Sequence, residues 1–326
     1  MQHESSFPEP RVEAVLAEAQ ARFIAAPPGA AFGAPAWISD DELAAVVSTT
    51  APPRQQGRVY LVSLSTSRIG PQLVLPSPAE CHSLNARAVE RLPDGRIGVL
   101  HDCSGHVSTM PNFHGQLWAY EPRTGETARL FPYDLPPLSG FPSFSPDMSK
   151  AIMTDGPNGL SSHFYWLYPD SSAQLDLGVA TARGASWSPD GSRIAVIDMP
   201  RSLPEPGHLF PAFEIRLIST DGVPGRPIAP PIPDGGTPLQ WSPNGQWLLG
   251  TLLGLDGVPT GLWIINPDSG RRALLLDGDG IGYAAWSPDG TKVAVTIKDR
   301  TSSSGLEKRT GLAIFDMPDP AAIDMP

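Results

Sequence analysis

Trp187-Ser188-Pro189-Asp190-Gly191, followed after Ser192-Arg193 by Ile194-Ala195-Val196-Ile197, is the stretch on which the fold turns. Proline presets φ for the first position of a turn, aspartate accepts a backbone hydrogen bond within it, and glycine takes the left-handed conformation that closes it. The phrase reads as a tight hairpin with an aromatic residue at its entrance. The run after it is apolar at consecutive positions, the pattern of a strand covered on both faces.

The phrase recurs. Trp286-Ser287-Pro288-Asp289-Gly290 precedes Val293-Ala294-Val295, Trp241-Ser242-Pro243-Asn244-Gly245 precedes Trp247-Leu248-Leu249, and Phe144-Ser145-Pro146-Asp147 precedes Ala151-Ile152-Met153. Looser copies are Leu92-Pro93-Asp94-Gly95 before Ile97-Gly98-Val99-Leu100, and Trp37-Ile38-Ser39-Asp40-Asp41 before Leu43-Ala44-Ala45-Val46-Val47. The aromatic slot falls at positions 37, 91, 144, 187, 241 and 286, a spacing of 43 to 54 residues that marks a repeat array. Each repeat carries a third apolar run, at residues 59–64, 117–120, 164–168, 213–218, 262–265 and 312–315. Five repeats add a turn and a shorter fourth run, as in Arg272-Ala273-Leu274-Leu275-Leu276 after Asn266-Pro267-Asp268-Ser269-Gly270. Four strands in each of six units predict an all-β, six-bladed β-propeller of four-stranded antiparallel blades.

Composition agrees with this reading. The 32 Gly and 38 Pro are scattered between short apolar runs, as many tight turns require. A formal net charge of −11, with only four lysines, leaves no concentrated basic face for phosphates, so nucleic acid is not an expected partner. No apolar stretch approaches the roughly 20 residues of a membrane-spanning helix. The first ten residues show no basic stretch followed by an apolar core. The expectation is therefore a mature periplasmic or extracellular protein after signal removal, or a cytoplasmic one if the sequence is whole.

Val12, Val15, Leu16, Ala19 and Phe23 fall at helical spacing, and Pro27-Pro28-Gly29 ends the run. This predicts a short N-terminal helix over residues 10–26, in an extension of residues 1–30 ahead of a propeller over 31–326. The ring must close, because an open last blade leaves an unpaired edge. Residues 321–323 and residues 30–33 are both candidates for the closing strand.

The tandem W-S-P-[DN]-G phrase, followed by an Ile-Ala-Val-like strand, resembles the repeat of the TolB-like propeller family, over about residues 33–326. The second copy departs from it with Arg91-Leu92 in place of Trp-Ser, and the first with Asp41 in place of Gly. The resemblance implies a family that includes periplasmic and extracellular interaction proteins, propeller domains of prolyl-oligopeptidase-like peptidases and some carbohydrate-active lyases. Such a fold fixes no single activity.

If the Pro-Asp-Gly turns lie on one face of the ring, the longer connections, at residues 48–57, 103–115, 155–162, 199–211, 252–259 and 298–309, lie on the other. Loops on a rigid scaffold are where ligands are expected. His82, His106, His114 and His208 fall on that face, and Asn112-Phe113-His114 mixes aromatic and polar groups suited to a peptide or sugar. The histidines lack H-x-H or H-E-x-x-H spacing, so ordinary loop histidines are the default and no cofactor is expected. Asp277-Gly278-Asp279-Gly280 reads as a blade-connecting turn, since the full calcium-loop spacing is absent.

Cys81 and Cys103 are the only cysteines. Counting outward from the Pro93-Asp94 turn puts Cys103 opposite about residue 84, three from Cys81. A disulfide and two buried thiols are both compatible with that count. No G-x-S-x-G elbow, P-loop or strand-borne G-x-G-x-x-G is present. The sequence thus points to a monomeric, non-catalytic propeller binding a protein, peptide or cell-envelope component. The alternative is a metal-assisted lyase or hydrolase acting on a sugar or lactone at the channel mouth.

Overall fold

A computed structural model describes residues 21–49, 57–76, 84–103, 114–135, 141–154, 164–175, 182–198, 213–220, 224–228, 237–252, 260–278, 280–298 and 310–317. They form six four-stranded antiparallel sheets. Strand β1 (Arg22–Ala25) precedes blade one, which comprises β2 (Ala30–Ser39), β3 (Glu42–Thr49), β4 (Gly57–Ser63) and β5 (Arg68–Gln72). Blade two comprises β6 (Leu84–Arg91), β7 (Ile97–Cys103), β8 (His114–Tyr120) and β9 (Thr127–Arg129). Blade three is short: β10 (Ser143–Phe144), β11 (Ala151–Thr154), β12 (Phe164–Leu167) and β13 (Ser172–Leu175). Blade four has β14 (Ala182–Trp187), β15 (Arg193–Asp198), β16 (Glu214–Ser219) and β17 (Pro224–Pro227). Blade five has β18 (Gln240–Trp241), β19 (Leu248–Leu252), β20 (Gly261–Ile265) and β21 (Arg272–Asp277). Blade six runs β22 (Ile281–Trp286), β23 (Lys292–Lys298) and β24 (Thr310–Asp316), with β1 as its outer strand.

The core is divided among the six seams between blades. In β3, Leu43, Ala45 and Val47 pack toward blade six, while Ala44 and Val46 pack toward blade two. In β15, Ile194 and Val196 face blade three and Ala195 and Ile197 face blade five. A strand sandwiched between two sheets must be apolar at every position, which is why these runs lack polar alternation. First strands of neighbouring blades meet, β2 touching both β6 and β22, so these strands form the inner edge of a closed ring.

Each full copy of the phrase is a small hydrogen-bonded unit. The Ser188 hydroxyl donates to Asp190 Oδ1 (2.6 Å) and accepts from Arg193 N–H (2.9 Å), while Asp190 also accepts from Ser192 N–H (3.0 Å). Gly191 at φ 73°, Gly245 at 72° and Gly290 at 74° take the left-handed turn position. The aromatic residue locks neighbouring blades. Trp37 Nε1 donates to the Ala285 carbonyl (3.0 Å), Trp241 Nε1 to Ser186 (2.9 Å) and Trp286 Nε1 to Gln240 (3.4 Å). In each case the acceptor is the residue just before the preceding blade's own aromatic slot. Arg91 keeps this role although it breaks the sequence pattern, donating from NH1 to the Trp37 and Ile38 carbonyls (3.1 and 3.0 Å).

No helix is present among the described residues, and the expected N-terminal helix is corrected where it can be seen. Arg22–Ala25 is a strand, paired residue for residue with Ile314 to Gly311 of β24. It covers an edge whose backbone N–H and C=O groups would otherwise lack partners, whereas a short isolated helix is marginal in water. Ile24 enters the seam between blades six and one. The ring is therefore closed by an upstream segment. Residues 30–33 belong instead to β2, and residues 321–323 lie outside the described residues.

Candidate functional site

Second-to-third strand connections and blade-to-blade connections leave from the ends of the sheets opposite the Pro-Asp-Gly turns, and the inner strands begin at this loop-rich end. β-Bulges interrupt four of them near this end: at Gly33-Ala34 in β2, Arg87 in β6, Gly184 in β14 and Gly282-Tyr283 in β22. A bulge releases one residue from the pleat and re-aims it. Arg87 is exposed, and Tyr283 keeps 46% of its surface open, unusual for a large aromatic on an inner strand. The bulge in β22 is held from both sides. The buried Thr251 hydroxyl donates to the Gly282 carbonyl and the buried Thr296 hydroxyl to the Tyr283 carbonyl. Gly282 is required there, because a Cβ would stand 2.4 Å from Thr296 Oγ1.

Blade two brings a second polar group to the same end. His101, 6% exposed, lies in β7 opposite Gln116, 2% exposed, in β8. Neither ring nitrogen of His101 has a hydrogen-bond partner among the described residues. Burial pushes its imidazole down to about 4, so the ring is neutral at ordinary pH. Gln116 donates from Nε2 to Asp134 Oδ1 (3.2 Å), which Arg129 also holds (2.5 Å). Blade four contributes Arg216, which spans Asp198 (3.0 Å) and Glu214 (2.5 Å) and so closes an ion-pair cluster on itself. Glu90 in β6, half-buried, has its carboxyl raised by desolvation from 4.5 to about 8.

Of the residues singled out in the sequence, His82, His106, Asn112, Phe113, His208 and Cys81 lie outside the described residues. His114 begins β8 and pairs with Cys103, which ends β7. Cys103 also stands opposite Leu84, the register that the count from the turn predicts. Among the residues whose side chains are described, no three His, Cys, Asp or Glu gather to hold a metal. The sequence reading passed over His101, Gln116, Arg87 and Tyr283. A histidine two positions from a cysteine in an otherwise apolar strand was the available signal for the first.

No protein-family model matches the chain, and no curated protein matches it in sequence. Solved structures do. TolB from Acinetobacter baumannii superposes with a TM-score of 0.57 at 14% identity, over 87% of this chain and 65% of that one. The chain thus spans less than two thirds of that TolB. XC5397 from Xanthomonas campestris, described as a gluconolactonase, gives 0.55 at 16% identity, over 91% and 90% of the two chains. An oligogalacturonate lyase in complex with manganese gives 0.52 at 15% identity, over 84% and 74%. The likeness is one of fold: a six-bladed propeller shared by a TolB and by enzymes.

Proposed function

We propose that this chain is a TolB-like propeller acting outside the cytoplasm as a monomeric binding module, which receives a protein or peptide segment at the loop-rich end of its axis. The observation that carries the reading is the set of inner-strand bulges, which turn Arg87 and Tyr283 out on the blades flanking blade one. Arginine and tyrosine are the residue types that dominate binding hot spots, and bulges next to sites are devices for aiming side chains. Two buried threonine hydroxyls fix the backbone under Tyr283, so the ring is held ready before a ligand arrives.

Peptides selected from a random displayed library against the full chain provide the test. Tyr283→Ala is expected to weaken the selected peptides by about 30-fold, the effect of losing a hot spot of about 2 kcal/mol. Arg87→Ala should weaken them as well, whereas Val74→Ala, on the rim of blade one, should leave them unchanged. Equal binding to the Arg87→Ala, Tyr283→Ala double variant would reject the site. Turnover of a sugar acid or lactone abolished by the same double variant would replace the binding reading with an enzymatic one.

A further inference from the structure

The residue before the aromatic slot holds the same place on all six inner strands, as Ala36, Glu90, Ser143, Ser186, Gln240 and Ala285. Both faces of an inner strand are covered by neighbouring blades, so the surface such a residue keeps is turned to the axis of the ring. Ala36 and Ala285 are buried, at 2% and 6% exposure, whereas the four polar residues each keep part of their surface open. Blades two to five therefore line one arc of the channel waist with hydrogen-bonding groups, and blades six and one close it with methyl groups.

Glu90 is the one ionisable group in that arc, and it has no partner among the described residues. Burial is the sole cause of its raised pKa, with no cation or hydrogen bond acting on the carboxyl. Register explains why. Glu90 stands opposite Gly98 of β7, on the face toward blade three, and the space a Gly98 side chain would fill is taken by Phe141 and Leu92. Phe144 and Met153 continue that apolar seam, whose ionisable members are the phenols of Tyr133 and Tyr165. His101 lies on the opposite face of β7, with Val99 toward blade one. Nearby cations are engaged elsewhere: Arg91 bonds the Trp37 and Ile38 carbonyls of blade one, and Arg96 pairs with Asp94 (2.6 Å). A desolvated carboxyl without a counter-charge, set on a channel wall, is a group that a ligand can complete.

We propose that the channel waist receives a cationic group of the bound segment, an ammonium or guanidinium, which pairs with Glu90 while the neutral groups of the arc offer further acceptors. This deepens, and rests on, the reading of the loop-rich mouth as a peptide site. Two residues nearer the mouth on their own strands stand Phe141, Pro238 and Tyr283, each at least partly exposed. Two residues of strand measure about 7 Å. A lysine or arginine stem can lie along this uncharged collar with its charged head at the waist. One carboxylate among neutral groups falls short of the several anionic oxygens that calcium gathers, so an organic cation is the better match.

The first probe is n-butylammonium chloride, which carries the lysine head without a peptide. In the full chain labelled with 13C-carboxyl glutamate, the resonance missing from Glu90→Gln identifies the carboxyl, which is expected to titrate at about 8. Saturating n-butylammonium should lower that midpoint by at least about one pH unit, because the cation pairs with the ionised form, while n-pentanol should leave it in place. Apparent affinity for n-butylammonium should rise about tenfold for each pH unit below that midpoint and level off above it. Glu90→Gln, isosteric with the protonated acid, should keep the parent's melting temperature at pH 7 and lose the pH dependence. The second probe is a random displayed peptide library, in which the pool selected by the parent should be enriched in Lys and Arg and the pool selected by Glu90→Gln should not. Selected peptides that need Tyr283 but lack this enrichment would reject the waist site and leave the mouth standing. A Glu90-dependent response to n-butylammonium with no peptide selected would reject the mouth and keep the waist as a site for a small amine. A midpoint unmoved by n-butylammonium would overturn the waist site outright.

Discussion

Blades five and six and blades three and four carry the same turn phrase, yet they join the ring differently. At blades five, six and one, an indole reaches across each seam to a carbonyl of the preceding blade. At blade three, Phe144 fills the slot and has no N–H to offer, and at blade four the buried Trp187 Nε1 finds no partner among the described residues. The strands differ in the same sense. Those of blade three are two to four residues long, whereas β22, β23 and β24 of blade six run to six and seven. The shorter blade is supported instead by residues after β9. Phe131 stacks on Phe144 with centroids 6.0 Å apart, and Tyr133 Oη lies 2.9 and 2.7 Å from the Tyr168 and Ser171 carbonyls. A repeat motif thus sets the shape of each blade, while the donor that crosses the seam changes from blade to blade: at blade four it is the Trp187 backbone N–H, which donates to Ser143 Oγ (2.8 Å).

The comparison breaks most visibly at the indoles themselves. Trp241→Phe removes the donor to the Ser186 carbonyl, which keeps its place in the β14–β15 ladder, whereas Trp187→Phe removes a donor that has no partner among the described residues. Both lose similar apolar bulk, so the difference isolates the hydrogen bond. Trp241→Phe should destabilise the protein by about 0.5–1.5 kcal/mol more than Trp187→Phe in urea titrations. Equal losses would mean that the cross-blade bond contributes nothing and that the seams are held by packing alone.

A smaller effect of opposite sign is expected at blade three. Met148 occupies the turn position that glycine fills in blades four, five and six, and it is held at φ 59°. A side chain in the left-handed region costs about 1–2 kcal/mol, part of which glycine's larger unfolded-state entropy takes back. Met148→Gly should therefore stabilise the chain by roughly 0.5–1 kcal/mol, although Met148 also packs at the edge of the seam between blades two and three. A loss of stability would show that this packing outweighs the strain. Gly191→Met at the corresponding place in blade four should then destabilise for the same backbone reason.

Much of this architecture could be read from the chain because turn chemistry is local. Proline, aspartate and glycine act within five residues, so six hairpins and the strands after them were visible without knowledge of contacts. Arg91 looked like a defect and is a substitute donor, something only the neighbouring blade reveals. The closing strand was misread for a related reason. Arg22-Phe23-Ile24-Ala25 is too short to show strand alternation, and its conformation is decided by the free edge of β24, far along the sequence. The candidate site was less legible still. Bulges at Arg87 and Tyr283 arise from register mismatch between paired strands, and His101 sat unnoticed in a run read only for its apolar residues.

The turns themselves offer the finest test, through pH. Asp147, Asp190 and Asp289 are each lowered to about 2, chiefly by the hydroxyl of the serine two residues before and then by the backbone N–H two residues after. A carboxyl depressed on folding adds stability above its unfolded value near 3.8, and that stability fades as pH falls from about 4 through about 2. Blade five carries a built-in control. Asn244 accepts from Ser242 (2.7 Å) and from Gln246 N–H (3.1 Å) in the same geometry without any charge to lose. Converting Asp190 and Asp289 together to Asn should leave stability at pH 7 slightly reduced, because these groups are solvent-exposed and screened. The gap to the parent should then shrink as pH drops from 4 to 2. Urea midpoints that stay parallel over that range would mean that the serine–aspartate bonds set the turn's geometry but not its stability.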